Sequence, residues 1–329
     1  STCTTPAGGA IGDEWIAGRA ADATTTGYEY CSLHELMDSY SLLFRKSGDV
    51  KAADAMENIF FNAAQGSRNP DHSCIAYLKT DNSYEMTGTR NGEPEPGRNQ
   101  TRYKYSPAHQ DVAVCCAPNA GRITPYFVAS TWLMEDAGTL VCVSPAPVIL
   151  QTKINGIDVK IETITDYPFG NKFRFSITCS KPTQFKVKIR KPSWVKEVVS
   201  RENFNAENQY LVINRQFSQK DEIGLEFHTA IRILEDQHHA KYFMYGPLVY
   251  AYPINASAVT GKVYAVGFTD FEYRPDDTTR YHYLTDHKAT FSNGKINLML
   301  RNKNTGKTEP ATLVPMAGTI LRQAAFEEE

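Results

Sequence analysis

The hydrophobic period of this chain changes once, near residue 139, and that change limits the folds open to it. Before it, apolar residues recur at three- and four-residue steps. Leu33, Leu36, Met37, Tyr40, Leu43 and Phe44 mark an amphipathic helix over about 29–46, stopped at Gly48. Asp49 reads as an N-cap, and Ala52, Ala55, Met56, Ile59, Phe60 and Ala63 continue a second helix to about 65. A third is expected from about Ala120 to Leu133, with Ile123, Tyr126, Phe127 and Trp132 on its apolar side. After Thr139 the period is two. Runs such as Val159 to Ile164, Phe173 to Thr178, Phe185 to Ile189 and Ile223 to Phe227 alternate, with turn signals at Asn155-Gly156 and Gly170-Asn171. Short strands at this spacing predict a β-sandwich. Beyond 252 the signal thins: 253–285 reads as loop, and the Glu327-Glu328-Glu329 end as frayed.

A chain of 329 residues has room for two domains. Its net charge of −2 offers no electrostatic footprint for nucleic acid or an anionic membrane surface. No apolar run reaches the roughly 20 residues that a membrane-spanning helix needs. Seven cysteines, an odd number in a chain of this length, do not read as a disulfide framework; reduced thiols, some of them on metal, fit better.

Two cysteine-bearing stretches stand out, Gly27-Tyr28-Glu29-Tyr30-Cys31 and Val114-Cys115-Cys116-Ala117-Pro118-Asn119. Together Glu29, Cys31, Cys115 and Cys116 offer one carboxylate and three thiols, a donor set that zinc accepts. The spacing is not that of a zinc finger, so buried neighbouring cysteines remain the competing reading. Residues two apart on a helix point about 200° apart, so Glu29 and Cys31 converge only if their segment is extended or in an irregular first turn. Adjacent Cys115 and Cys116 likewise demand non-helical backbone, and Pro118 biases Ala117 toward extended geometry.

Other motifs surround these stretches: Gly8-Gly9-Ala10-Ile11-Gly12-Asp13-Glu14, Asp166-Tyr167-Pro168-Phe169, Ile189-Arg190-Lys191-Pro192-Ser193-Trp194 and Tyr245-Gly246-Pro247-Leu248-Val249-Tyr250. In this order, with the Glu-x-Cys and Cys-Cys-x-Pro-Asn stretches among them, the set resembles the bacterial β-L-arabinofuranosidase-type glycoside hydrolases, families 127 and 146, from about residue 8 to about 252. The resemblance implies an α+β chain: a partial (α/α)6 barrel over 1–138, its second half with few helices, followed by β-sandwich over 139–329 with a further boundary near 252 if there are two sandwiches. Three helices cannot close such a barrel. The chain therefore reads as the second half of a family member, completed by the first barrel half or by a homo-oligomer partner.

The resemblance also implies a chemistry. Zn2+ would be the cofactor, on Glu29, Cys31, Cys115 and Cys116, with Cys115 also the nucleophile and Glu14 the general acid/base. Asp13 stays open as the acid, because Ala10 is inserted in the glycine run and a one-residue slip exchanges the two. His109 and Tyr28 are candidates to touch substrate. The expected reaction is retaining hydrolysis of a β-L-arabinofuranoside, or of another unusual pectic sugar, in plant-derived glycans, in a bacterial cytoplasm or periplasm. The rival from another class is a non-catalytic module, in which zinc clips two loops together and the sandwich binds carbohydrate or a partner. His34, Arg122 and the His238-His239 pair rank lower, as core, salt-bridge and surface residues. Cys3, Cys74, Cys142 and Cys179 read as small packed residues.

Overall fold

The computed structural model describes residues 3–12, 20–88, 102–108 and 115–329. The expectation of an α+β chain built on a partial (α/α)6 barrel is overturned: 46% of the described residues are strand and 18% helical, with a curled sheet. Among the described residues there are three α-helices: α1 (Tyr30–Ser47), α2 (Val50–Asn58) and α3 (Cys116–Thr131). A π-helical stretch, Ile59–Ala64, continues directly from α2. The helices sit close to where the 3.6-residue period places them. Between them the sequence suggests a short strand at 75–79, which the structure holds as Ile75–Ala76 and Leu78–Lys79, but the period does not register how this stretch pairs. Ile75–Ala76 and Tyr105–Ser106 pair with each other, and Tyr105 pairs with Phe271. Strands of two residues that find partners far away in sequence leave no local period to read.

The chain divides into two compact units: Ser1–Met37, Asn58–Ile123 and Ile231–Glu329 form the first, and Asp38–Glu57 with Thr124–Ala230 the second. The second unit is a sandwich of two five-stranded sheets. In one sheet the order is Asn205–Glu207, Tyr210–Phe217, Thr183–Arg190, Thr139–Cys142, Trp132–Asp136; in the other it is Glu197–Ser200, Lys220–His228, Lys172–Cys179, Ile157–Ile164, Ile149–Ile154. The alternation seen in the sequence is the inward face: Phe173, Phe175, Ile177 and Cys179 are buried on one strand, and Phe185, Val187 and Ile189 on another. Trp132 meets Phe175 edge-on across the sheets, with ring centroids 5.8 Å apart. Trp132 thus begins a strand and does not belong to α3.

Two of the signature stretches meet in this unit around one buried cation. Arg190, fully buried, donates to Glu57, to Asp54 and to the Val143 carbonyl. Glu57, 1% exposed, also accepts from Ser144 Oγ at 2.5 Å and from the Tyr167 hydroxyl at 2.9 Å. Burial pushes the Glu57 carboxyl up from its usual range, and Arg190 opposes that rise. Tyr167 comes from Asp-Tyr-Pro-Phe and Arg190 from the Ile-Arg-Lys-Pro stretch, so both motifs tie α2 to the sandwich.

The first unit is built on a nine-stranded sheet whose main path runs Arg232–Glu235, Lys241–Tyr245, Leu248–Ile254, Thr308–Pro315, Lys295–Asn302, Tyr281–Tyr283. A four-stranded sheet runs Ala256–Ala265, Phe268–Pro275, Tyr105–Ser106, Ile75–Ala76. The region expected to be loop, 253–285, therefore contains strands. Ala256–Ala265 lies at a sheet edge with most of its residues exposed, so it has no apolar face to alternate. The Tyr-Gly-Pro-Leu-Val-Tyr stretch is held by Asn62, whose amide donates to Pro247 O at 2.9 Å and accepts from Val249 N–H at 2.8 Å. The chain end is not frayed: Tyr283 N–H donates to Glu327 O, and Glu329 N–H to Tyr283 O.

Two stability outcomes follow. Arg190→Met strands Glu57 as a buried carboxylate and is expected to cost about 3–5 kcal/mol of unfolding free energy in urea titrations; a loss under about 1 kcal/mol would show that the network is not holding the unit. On the sandwich surface, Arg215 donates to both oxygens of Asp221 at 2.7 and 2.8 Å, and these bonds hold the carboxyl down at about 2. The folded value lies below the unfolded one, so the stabilisation is complete above about pH 4 and is lost as pH falls toward 2. Asp221→Asn should cost about 1–2 kcal/mol at pH 7, discounted for partial solvent screening, with the cost shrinking as pH is lowered through that window. An equal cost at every pH would rule out the ion pair as its source.

Candidate metal centre

Glu29, Cys31, Cys115 and Cys116 come together, with one ligand atom of each lying within 4.8 Å of all the others. Cys31 and Cys116 sulfurs are 3.3 Å apart, and Glu29 Oε1 is 3.8 Å from Cys115 Sγ and 3.6 Å from Cys116 Sγ. Zinc–thiolate bonds of about 2.3 Å place two sulfurs on tetrahedral corners about 3.8 Å apart, and a sulfur and an oxygen about 3.5 Å apart. The donor set fits a four-coordinate, thiolate-binding divalent ion.

Glu29 and Cys31 converge because the helix starts between them. Glu29 ends the strand Tyr28–Glu29, which pairs with Leu78–Lys79, and Cys31 is the second residue of α1. The strand is entered from a turn in which Asp22 Oδ1 accepts from the Thr24 and Thr25 amides. Its position is then fixed from two sides. On one side the glycine run passes at backbone contact: a Cβ on Gly12 would sit 2.2 Å from Glu29 N, and one on Gly9 would sit 2.2 Å from Tyr28 Cδ1. On the other, fully buried Arg322 donates to the Tyr28 hydroxyl and to the carbonyls of Gly66, Thr80 and Asp81, each at 3.0 Å.

Cys115 and Cys116 are placed differently from the sequence expectation. α3 begins at Cys116, and Cys115 O accepts the Asn119 amide, so Cys115 is the N-cap residue. Ala117 is helical, not extended, and Pro118 falls in the first turn, where its missing N–H costs nothing. Three of the four clustered side chains, Cys31, Cys115 and Cys116, thus lie at the first turns of two helices, where unpaired N–H groups and the helix dipole favour anions. The protein alone still resolves the crowding with protons. Donation by Cys116 lowers Cys31 to about 7, while that same bond and burial raise Cys116, and burial followed by the nearby sulfurs and carboxylate raises Cys115 to about 11. The three sulfurs are unequal in access: Cys116 is buried, Cys31 half-buried and Cys115 exposed.

Of the other candidates, Glu14, Asp13 and His109 lie outside the described residues. Tyr28 is fully buried, its ring against Gly9 and its hydroxyl on Arg322. Tyr30 is also buried, with the Arg68 guanidinium 5.6 Å from its ring centroid. His34 faces the core, with Nδ1 3.1 Å from Glu35 Oε1, and Arg122 Nη1 donates to Asn119 Oδ1 at 3.2 Å. His239 is exposed beside Glu235. Two neighbours escaped sequence reasoning. Tyr77, buried, carries a hydroxyl hydrogen-bonded to Glu29, and Arg322 lies nearly three hundred residues from the strand that it braces. An arginine set between Leu321 and the apolar end Ala324-Ala325-Phe326 was the available signal for the second.

Residues 146–229 match the family model of the β-L-arabinofuranosidase GH127 middle domain, within the sandwich unit. A GH127 β-L-arabinofuranosidase from Geobacillus stearothermophilus T6 shares the fold with TM-score 0.71 and 18% identity, over 98% of this chain and 53% of its own. A second GH127 β-arabinofuranosidase matches at TM-score 0.71 and 15% identity over 100% of this chain and 54% of its own, and a further glycoside hydrolase at 0.67 and 17% over 92% and 52%. A comparison with curated protein sequences finds no match. The chain spans about half the length of the solved proteins that it matches.

If the cluster is a metal centre, elemental analysis of the purified protein should find about one divalent ion per chain. Cys116→Ser should empty it and lower thermal stability by several kcal/mol, and Gly12→Ala, by displacing Glu29, should weaken it with the thiols intact. Metal content unchanged in both variants would exclude this cluster as the site. By its family model over the sandwich and by fold over nearly its whole length, the chain resembles the GH127 β-L-arabinofuranosidases, as its motifs led us to expect.

Proposed function

We propose that the protein works as a zinc-dependent, retaining glycoside hydrolase on a furanoside of the β-L-arabinofuranose class, with Cys115 as nucleophile. The observation that carries this reading is the inequality inside the cluster: of three thiols within one ligand shell, Cys115 is the most accessible, ahead of half-buried Cys31 and buried Cys116. A purely structural clip has no need to leave a ligand open to solvent. Glu29, Cys31, Cys115 and Cys116 would hold the ion, which when bound keeps the thiols as thiolates at neutral pH.

The chain's own residues then divide the work. Cys115 sulfur attacks the anomeric carbon from the open side as the glycosidic C–O bond breaks, giving a thioglycosyl bond. Glu14 supplies the proton to the departing oxygen, and as the carboxylate it later takes a proton from the water that displaces sulfur. Two inversions give net retention, and no second carboxylate is needed as nucleophile. Glu14 follows by two residues the glycine that packs on Glu29, so one short segment carries the acid and braces a metal ligand.

Cys115→Ser should abolish turnover, since an alcohol is a far weaker nucleophile than a thiolate, and metal content measured alongside separates lost chemistry from lost metal. Glu14→Gln should lose about 10²–10⁴-fold on substrates with poor leaving groups. On an activated aryl arabinofuranoside it should accumulate an adduct that peptide mass mapping places on Cys115. An adduct on a carboxylate, or parental rates in Cys115→Ser, would leave only the metal clip.

A further inference from the structure

Three sulfurs of identical chemistry share this cluster, and something must decide which one reacts. Exposure separates Cys116 from the others but does not by itself set Cys31 apart, since Cys31 is only half-buried. The Asn119 side chain does. Its Nδ2 donates to Cys31 Sγ at 3.1 Å, and its Oδ1 accepts from Arg122 Nη1 at 3.2 Å. A guanidinium can only donate, so the Arg122 contact fixes which end of the amide is oxygen and turns the N–H toward sulfur. Cys116, Asn119 and Arg122 follow one another at three-residue steps along α3, so the relay lies on one helix face, beginning at a ligand. An N–H donor on a thiolate draws charge from the sulfur, lowers its nucleophilicity and fixes its direction. The contacts described at Cys115 are with Glu29 and the other two cysteines.

We infer that Asn119 is a positioning residue that commits Cys31 to permanent metal ligation and so leaves nucleophilic reactivity to Cys115, with Arg122 setting the direction of the Asn119 amide. The inference rests on the reading of Cys115 as the reactive thiol. It also gives the asparagine of the Cys-Cys-x-Pro-Asn stretch a task that neither capping nor packing requires of it.

The test is alkylation of the zinc-loaded protein with iodoacetamide, mapped by peptide mass. Among the cluster cysteines, the parent protein should label at Cys115 alone. Asn119→Asp has the same shape and keeps an acceptor for Arg122, but it removes the N–H and places negative charge on Cys31. Labelling at Cys31 should then appear, zinc affinity by chelator competition should fall about 10–100-fold, and in the cobalt-substituted protein the thiolate-to-cobalt charge-transfer band should move to lower energy. Arg122→Gln, at an exposed position, should give a smaller change of the same kind, which keeps the test valid if Asn119→Asp folds poorly. Labelling of Cys31 in the parent protein would overturn this inference together with the assignment of Cys115. Labelling confined to Cys115 in the parent and in both variants, with unchanged zinc affinity, would overturn the role of Asn119 and leave the proposed nucleophile standing.

Discussion

Four ionisable groups packed within 4.8 Å repel one another, and the first unit is arranged to tolerate that repulsion. Full ionisation would place four negative charges in a space where each pair interacts strongly. The fold meets this with partial positive charge from backbone: Cys31 and Cys116 enter the first turns of α1 and α3, and Cys115 caps the second of these. It adds neutral donors, the Tyr77 hydroxyl on Glu29 and the Asn119 amide on Cys31. A bound dication would supply the rest, so metal binding and the integrity of this corner are coupled. The glycine run belongs to the same arrangement, because only a residue without Cβ lets a second backbone segment run against Glu29.

Two buried arginines do comparable work elsewhere, one in each unit. Arg190 satisfies Glu57 and Asp54 in the second unit, and Arg322 gathers five carbonyls and the Tyr28 hydroxyl in the first. Neither is part of the cluster. A guanidinium has five donors in a rigid plane and can join several segments at once where apolar packing would only press them together. The removal of either leaves several acceptors unpaired in a dry interior, which costs more than the contacts themselves contribute.

Helix positions and the alternating strands after Thr139 were legible because each element buries one face, and burial of one face prints a period. That Glu29, Cys31, Cys115 and Cys116 would cluster was legible because a thiolate-binding metal limits its donors to a few residue types. The architecture of the site-bearing unit was not, for two reasons. Its pairings, such as Tyr105 with Phe271, join short strands across long sequence separations, and the edge strand Ala256–Ala265 is exposed along most of its length. The start of α3 was missed for a different reason. Pro118 was read as biasing Ala117 toward extended geometry, although in a first turn proline replaces an amide that has no partner and leaves the preceding residue helical.

The motifs that carried the resemblance turn out to be of two kinds, and the difference matters for what a motif can prove. Tyr167, Arg190 and the Pro247 carbonyl each end in a buried polar bond that ties segments together. Such residues resist substitution because a half-satisfied network is worse than none, and they report fold without reporting chemistry. The Glu-x-Cys and Cys-Cys-x-Pro-Asn stretches are different. Their side chains converge on one point, leave one sulfur open, and spend an amide on another. A chain that kept only the first kind of motif would share this fold with no reaction to perform. It is the second kind, read together with the access of each sulfur, on which the catalytic reading rests.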